Sequence, residues 1–128
     1  MLKRGEGGFS LLELMIAMFI VIILLSVAIP TYQRSVQQAR ETVLKENLWQ
    51  IRRSIDQFTA DKGKPPKSVE ELVEQKYLRE KPIDPIADKR EWNEIQTDSS
   101  VGESMQGLQN VKSTADGEDS QGVPFNEY

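Results

Sequence analysis

The apolar residues divide the chain into two parts. From Phe9 to Ile29, only Ser10, Glu13 and Ser26 interrupt a continuous apolar run. Taken as a helix that rises about 1.5 Å per residue, this run extends for roughly 31 Å, which matches the hydrocarbon core of a bilayer. The pattern therefore predicts one membrane-spanning helix near the N-terminal end of the sequence.

After Pro30 the pattern becomes amphipathic. Apolar residues now recur at steps of three and four and form one stripe: Leu44, Leu48, Ile51, Ile55 and Phe58. Gly63, which two prolines follow closely, indicates where the helix ends. We therefore expect a near-continuous helix from Phe9 to Lys62 whose second half packs on a small head. A coiled-coil seam is the alternative for this stripe, although it spans only about two heptads.

The proline at the end of the apolar run has a structural cost. A proline inside a helix removes the hydrogen bond to the carbonyl four residues earlier. At Pro30 that carbonyl belongs to Ser26. We therefore expect a kink or a melted turn near Ser26, and the alternative is that Pro30 only marks the end of the membrane segment.

The head carries weaker signals. Ser68, followed three residues later by Glu71, forms a capping-box pattern that predicts a short helix to about Lys76. We expect this region to bury four apolar or aromatic side chains: Leu72, Val73, Tyr77 and Leu78. Two segments alternate imperfectly and predict short strands, namely 91–97 around Trp92 and Ile95, and 107–113 around Leu108 and Val111.

Composition limits the chemistry that is available. With 128 residues, the chain has room for one small domain beyond the membrane segment. Its net charge of -4 and its pI near 4.9 argue against nucleic-acid binding. The sequence contains neither cysteine nor histidine, so disulfides, thiol nucleophiles, imidazole bases and ordinary zinc sites are all excluded. Any metal ion would have to be held by oxygen ligands.

One cluster of oxygen ligands stands near the C-terminal end: Asp116, Glu118, Asp119 and Ser120. Calcium suits such a set, because it takes six to eight oxygens in flexible geometry. An EF-hand frame does not fit, since Gln121 occupies the position that requires glycine and no helices flank the loop. The cluster therefore predicts a calcium site of another kind, and a solvated turn without metal is the alternative.

The beginning of the sequence resembles a known family. A short leader with Lys3 and Arg4 precedes Gly-Phe-Ser-Leu-Leu-Glu-Leu-Met-Ile-Ala, which starts at Gly8. This stretch resembles the N-terminal signature of type IV prepilins and of the pseudopilins of type II secretion. The resemblance implies that a prepilin peptidase cuts between Gly8 and Phe9 and methylates Phe9. It also matches Glu13, the fifth residue of the mature chain, and Pro30 at the membrane exit.

Glu13 is the residue that this resemblance connects with assembly. After cleavage, the amino group of Phe9 is a cation at the membrane margin, one helical turn from Glu13. We expect Glu13 to pair with that cation on a neighbouring subunit, because pairing offsets the cost of burying each charge. We expect Glu13 to have no partner within its own apolar helix. The alternative is that Glu13 only lies in the headgroup region.

The head resembles that of the major, G-type pseudopilins. The segment from Pro66 to Leu78, followed by Pro82-Ile-Asp-Pro, is similar to the post-stem segment of those proteins, in which an Asp-Pro turn leads into a small antiparallel sheet. In them, a loop that begins Ala-Asp-Gly binds calcium and fixes the last strand. Residues 115–117 match the start of that loop, whereas its later acidic pair is absent here.

The resemblance implies an α+β, type IV pilin-like fold with four parts. These are a cytoplasmic leader (1–8), a transmembrane and filament-core helix (9–29), an amphipathic stem helix (30–62) and a globular head (63–128). The head is expected to contain a short helix and a small antiparallel sheet. The basic residues of the leader favour a cytoplasmic N-terminus and a periplasmic head, with the chain anchored in the inner membrane.

The implied function is structural rather than catalytic. We expect a pseudopilin that forms a homo-oligomeric periplasmic filament driving type II secretion. The expected partners are a prepilin peptidase, the inner-membrane assembly platform, minor pseudopilins and, before assembly, membrane lipid. One alternative is a type IV pilin forming a surface fibre, although many such pilins carry a C-terminal disulfide that this sequence cannot form. The other alternative is a membrane-anchored binding or sensor module.

Overall fold

The computed structural model describes residues 7–98, 100 and 102–128. Most of the predicted leader therefore lies outside the described residues. The chain divides into two compact units, Met1–Val36 and Gln37–Tyr128. The regular elements are α1 (Leu11–Lys62), α2 (Val69–Glu74), β1 (Asn93–Gln96) and β2 (Leu108–Lys112), with short 3₁₀ turns at Glu103–Met105 and Phe125–Glu127.

Helix α1 begins at Leu11 rather than at Phe9, because Ser10 caps it. The Oγ of Ser10 accepts a hydrogen bond from the Glu13 amide at 3.2 Å. In return, the Glu13 carboxylate accepts one from the Ser10 amide at 3.3 Å. This reciprocal arrangement is a capping box, and it provides acceptors for two amides that the first helical turn leaves without partners.

The helix continues through Pro30 without interruption, so a melted turn near Ser26 is wrong, and the kink stays a prediction. Hydroxyl groups bond to the backbone on both sides of the affected turn. Ser26 donates to the Ile23 carbonyl at 2.6 Å, and Thr31 donates to the Val27 carbonyl at 2.8 Å. Proline removes a single bond from a long ladder, and apolar helices tolerate this loss when neighbouring turns stay bonded.

The second half of α1 buries the predicted stripe. All five of its apolar residues are at most 4% exposed. They form one cluster with buried residues of the head: Val69, Leu72, Leu78, Trp92, Leu108, Val111, Ala115 and Phe125. Packing of the stem on the head is therefore confirmed, and the coiled-coil alternative is wrong because the chain's own head covers the stripe. The helix ends before Gly63, whose φ of +72° is a left-handed conformation that glycine adopts without strain.

Helix α2 starts at the predicted capping box. Ser68 Oγ accepts from the Glu71 amide at 3.3 Å, and the Glu71 carboxylate accepts from the Lys67 amide at 2.5 Å. The helix ends at Glu74, earlier than predicted, and Lys76 then turns the chain with a φ of 64°. The expected burial is confirmed: Leu72 and Leu78 are buried, and the two remaining side chains of that set pack partly against the core.

The two predicted strands pair as an antiparallel sheet. The register runs from Asn93 opposite Lys112 to Gln96 opposite Leu108, with an irregularity after Ile95. Just before β1, Trp92 lies in the core and donates from its indole nitrogen to the Pro82 carbonyl at 3.0 Å. A long helix, a short helix and a small antiparallel sheet confirm the expected α+β fold.

A buried carboxylate organises the turn between α2 and β1. Asp84 is fully buried, and its Oδ1 accepts from the amides of Ile86 at 2.9 Å and Ala87 at 3.1 Å. Its Oδ2 accepts a short hydrogen bond from the hydroxyl of the buried Ser113. Ser113 Oγ accepts in turn from the Ala115 amide at 3.0 Å. Asp84 therefore connects the predicted Asp-Pro turn to the segment that follows β2.

We predict that Asp84→Ala lowers the free energy of unfolding by about 3 kcal/mol, since it leaves two partly buried amides and one buried hydroxyl without their acceptor. Asp84→Asn should cost less, because its amide oxygen still accepts. Urea unfolding of the full chain in detergent, followed by tryptophan fluorescence, measures both effects. The exposed Glu91→Ala is the control, expected within about 0.5 kcal/mol of wild type. Equal losses for Asp84→Ala and Glu91→Ala would contradict this role.

Candidate processing site, assembly site and C-terminal loop

The predicted cleavage site lies in exposed, non-helical chain just before α1. Gly8 and Phe9 are both exposed, and the Phe9 side chain is 88% exposed. A Cβ built on Gly8 would meet no heavy atom within 4 Å, and Gly8 does not have a positive φ. Neither packing nor backbone conformation therefore requires glycine here. A requirement for glycine would have to come from a molecule that acts on this segment.

The structure changes the expectation for Glu13. Its carboxylate was expected to have no partner within its own helix, but it accepts a hydrogen bond from the Ser10 amide. The sequence contains the signal for this contact, because Ser10-Leu-Leu-Glu13 is itself a capping-box pattern. Both side chains are exposed at the start of α1. The carboxylate is thus held in place on the helix while remaining accessible from outside it.

The first part of α1 has a bare apolar surface. All residues from 7 to 35 are exposed in the single chain. The helix is long and apolar enough near its N-terminal end to cross a membrane, with a mean hydropathy of 2.9 in its most apolar window. So large an exposed apolar surface is not stable in water and has to be covered by lipid or by protein. Pro30 lies at the end of this surface, inside the helix.

The four predicted calcium ligands do not converge in the structure. Asp116 and Glu118 are exposed, and neither side chain makes a hydrogen bond among the described residues. Asp119 and Ser120 point their oxygens at protein groups instead. Within the part of the chain that the structure describes, no group of three or more acidic residues is placed to hold a metal ion.

The Asp119 carboxylate is already engaged by donors of its own loop. Its Oδ1 accepts from the amides of Gln121 at 2.8 Å and Val123 at 2.9 Å, and its Oδ2 accepts a short hydrogen bond from the Tyr128 hydroxyl. The Tyr128 hydroxyl and then the Val123 amide lower the pKa of Asp119 from its ordinary value of 3.8. These donors occupy the positions at which a cation would have to bind.

Ser120 contacts the stem helix. Its amide and its hydroxyl both donate to the carboxylate of Glu41, each at 3.0 Å. Glu41 is only 6% exposed, although it is a charged residue on the stem. The helical pattern gives no signal for Glu41, because it does not show which distant residue will contact this side chain. The donor sets of Asp119 and Ser120 do not fit a calcium ion in this arrangement, and calcium binding stays a prediction.

The comparisons with known proteins agree with the geometry at the N-terminal end. Residues 3–29 match the family model described as the prokaryotic N-terminal methylation motif. The chain is also 28% identical, over 101 residues, to the type II secretion system core protein G of Pseudomonas aeruginosa. That alignment covers 66% of this chain and 71% of the relative. No solved structure matches the chain.

The family motif and the relative match different extents of the chain. The motif matches the segment that contains Gly8, Phe9 and Glu13, and the alignment with the secretion protein is too long to lie within that segment. The long N-terminal helix and the small α+β head are the architecture that the resemblance implies. The chain is therefore a type IV pilin-like protein, and it is similar to the core protein G of a type II secretion system.

Proposed function

We propose that this chain is the structural subunit of a periplasmic filament that drives type II protein secretion. One observation carries the proposal: α1 bears a processing and assembly motif at its start and a bare apolar surface behind it, while its second half holds the head. The relative's name, type II secretion system core protein G, supports the choice of secretion machine.

The proposed orientation follows from the charges of the leader. Lys3 and Arg4 precede the apolar segment, and basic residues close to a membrane span favour the cytoplasmic side. The N-terminus is then cytoplasmic, and the head lies in the periplasm beyond the inner membrane. This orientation puts the Gly8-Phe9 bond at the cytoplasmic margin of the membrane, within reach of a membrane-embedded prepilin peptidase.

Assembly is proposed to replace lipid with neighbouring helices. Before assembly, lipid covers the apolar surface of α1. In the filament, the same surface packs against the helices of other subunits. Glu13 then pairs with the amino group of Phe9 on a neighbour, which offsets the cost of keeping a carboxylate in an apolar environment. The capping contact with Ser10 holds Glu13 in position until that partner arrives.

The other partners follow from this role. A prepilin peptidase cleaves and methylates the chain, an inner-membrane platform adds subunits, and minor pseudopilins join the same filament. The role is structural and not catalytic. The relative's name, which describes a core protein of the secretion system, supports a structural role.

We predict that mature subunits begin at an N-methylated Phe9. The matched variants are Gly8→Leu and Gly7→Leu, which add the same side chain one residue apart at positions where a Cβ meets nothing in the fold. Gly8→Leu should block cleavage, because the peptidase has to receive glycine at that position, and Gly7→Leu should still be cut. Mass spectrometry of membrane extracts identifies the N-terminal residue of each variant. Wild-type chains that keep Met1 in cells with an active peptidase would refute the processing step.

We predict that Glu13→Ala inserts into the membrane but fails to form filaments and to support secretion. Glu13→Gln is the informative partner, because its amide oxygen still accepts from the Ser10 amide while its charge is lost. If charge pairing between subunits matters, Glu13→Gln should fail as Glu13→Ala does. Ser10→Ala, which keeps the charge and loses only the hydroxyl of the box, should still assemble at a reduced yield. Cross-linked ladders and export of folded substrates are measured together.

Two outcomes would overturn this account. Filaments from Glu13→Gln at the wild-type level, with none from Ser10→Ala, would show that only the helix cap matters and not the charge. Normal export by Glu13→Ala cells that have lost surface fibres would assign the chain to a type IV pilus rather than to a secretion filament.

A further inference from the structure

The C-terminal segment is fastened to the stem at two places by buried or half-buried charges. The Glu41 carboxylate accepts hydrogen bonds from the amide and the hydroxyl of Ser120. Three turns further along the stem, Arg52 donates to the main-chain oxygen of Tyr128 at 2.8 Å and to the Val111 carbonyl at 2.9 Å. The Arg52 Nε also donates to the Asn110 side chain at 2.7 Å. Each of these charged groups is satisfied by more than one partner.

Inside the segment, Asp119 closes the loop between these two places. Its carboxylate gathers two amides and the Tyr128 hydroxyl, so the loop and the last residue are joined through one side chain. The Tyr128 ring lies edge-on to the buried Phe125, with their centroids 5.6 Å apart. The ammonium group of Lys45 lies 5.1 Å from the centroid of the same ring. Tyr128 is thus held through its hydroxyl by a hydrogen bond and through its ring by packing and by the nearby ammonium group.

We propose that five residues, Glu41, Arg52, Asp119, Ser120 and Tyr128, form a stem lock that fixes the C-terminal segment without a metal ion. In proteins that use calcium at such a loop, the cation neutralises clustered carboxylates and connects distant parts of the chain. Here, protein donors do both. Amide and hydroxyl donors satisfy Asp119, and Glu41 connects the loop to the stem by direct hydrogen bonds.

The donor geometry explains why a cation has little to gain at this loop. Calcium takes six to eight oxygen ligands. To gather them, it would have to displace the Tyr128 hydroxyl and two amides from Asp119. It would also have to draw in the exposed side chains of Asp116 and Glu118. Displacing hydrogen bonds to a charged group costs more than displacing neutral ones.

Amide hydrogen exchange of the full chain in detergent micelles tests the stem lock. Residues 116–128 of the wild type should exchange at the same rate in millimolar calcium and in excess EGTA. Glu41→Ala and the milder Ser120→Ala should each raise that rate, by roughly tenfold for Glu41→Ala, since about 1.4 kcal/mol corresponds to a factor of ten and charge-assisted hydrogen bonds are of that size. The exposed stem variant Glu46→Ala is the matched control and should exchange like wild type.

The choice of variants separates the stem lock from a calcium site. Glu41 is not among the predicted calcium ligands, so its effect in EGTA can only come from the protein contacts. Protection of residues 116–128 that requires calcium would overturn the proposal. So would Glu41→Ala and Ser120→Ala proteins that both exchange like Glu46→Ala. If Glu41→Ala fails to fold, Ser120→Ala alone decides, because it removes only an exposed hydroxyl.

Urea unfolding of wild type and Tyr128→Phe at neutral pH tests the contact between the end of the segment and its loop. The phenylalanine variant keeps the ring and loses only the hydroxyl that donates to Asp119. We predict a lower urea midpoint for Tyr128→Phe, because Asp119 loses one of its three donors. Equal midpoints for the two proteins would contradict a role for this contact.

Discussion

The structure depends on one helix that has to meet two different requirements. An α-helix satisfies its backbone hydrogen bonds internally, which allows the same element to pass through hydrocarbon and to continue in water. Only the side chains have to change. In α1 the side chains up to Ile29 are apolar apart from Glu13 and Ser26, and the apolar side chains reduce to a single stripe from Leu44 to Phe58. The apolar surface of the first part has to be covered by lipid or by other proteins, and the chain's own head covers the stripe.

The small size of the head explains its reliance on polar anchors. Domains with few residues bury a smaller share of their surface, so they gain less from the hydrophobic effect. The core here is built around the stem stripe, and the loops outside it contain little apolar material. Asp84 and the stem lock secure those loops with hydrogen bonds to acidic and basic side chains. Both use one carboxylate to gather several donors, which is the arrangement that makes burial of such a group affordable.

Much of the fold follows from local patterns in the sequence. The apolar run, the stripe, Gly63 and the two short alternating segments each indicate an element whose existence depends on nearby residues, and all of these elements are present. The wrong predictions concern how a helix tolerates proline and where a helix ends, because both depend on the neighbouring residues. The helix passes through Pro30 because adjacent turns remain bonded, and α2 stops early at the left-handed Lys76.

The site was predicted less completely, and the reason is distance along the chain. Ser10 and Glu13 form a local capping pattern that can be read from the sequence. The same residues also belong to the family motif, which directs attention to assembly and not to the helix cap. Glu41 and Ser120 are 79 residues apart, and no periodicity connects a buried stem glutamate with a loop serine. Clustered acidic residues indicate calcium by composition alone, whereas the structure decides which donors actually face them.

The two halves of α1 lie in different surroundings, and labelling of single cysteines tests this directly because the sequence contains no cysteine. The variants are Ile22→Cys in the apolar run, Thr42→Cys on the exposed side of the stem and Leu48→Cys in the stripe. A water-soluble maleimide is applied to both sides of the membrane. We predict rapid reaction at position 42 only. Urea should expose position 48. Rapid labelling at 22 in the membrane, or at 48 without urea, would show that the two halves do not differ in this way.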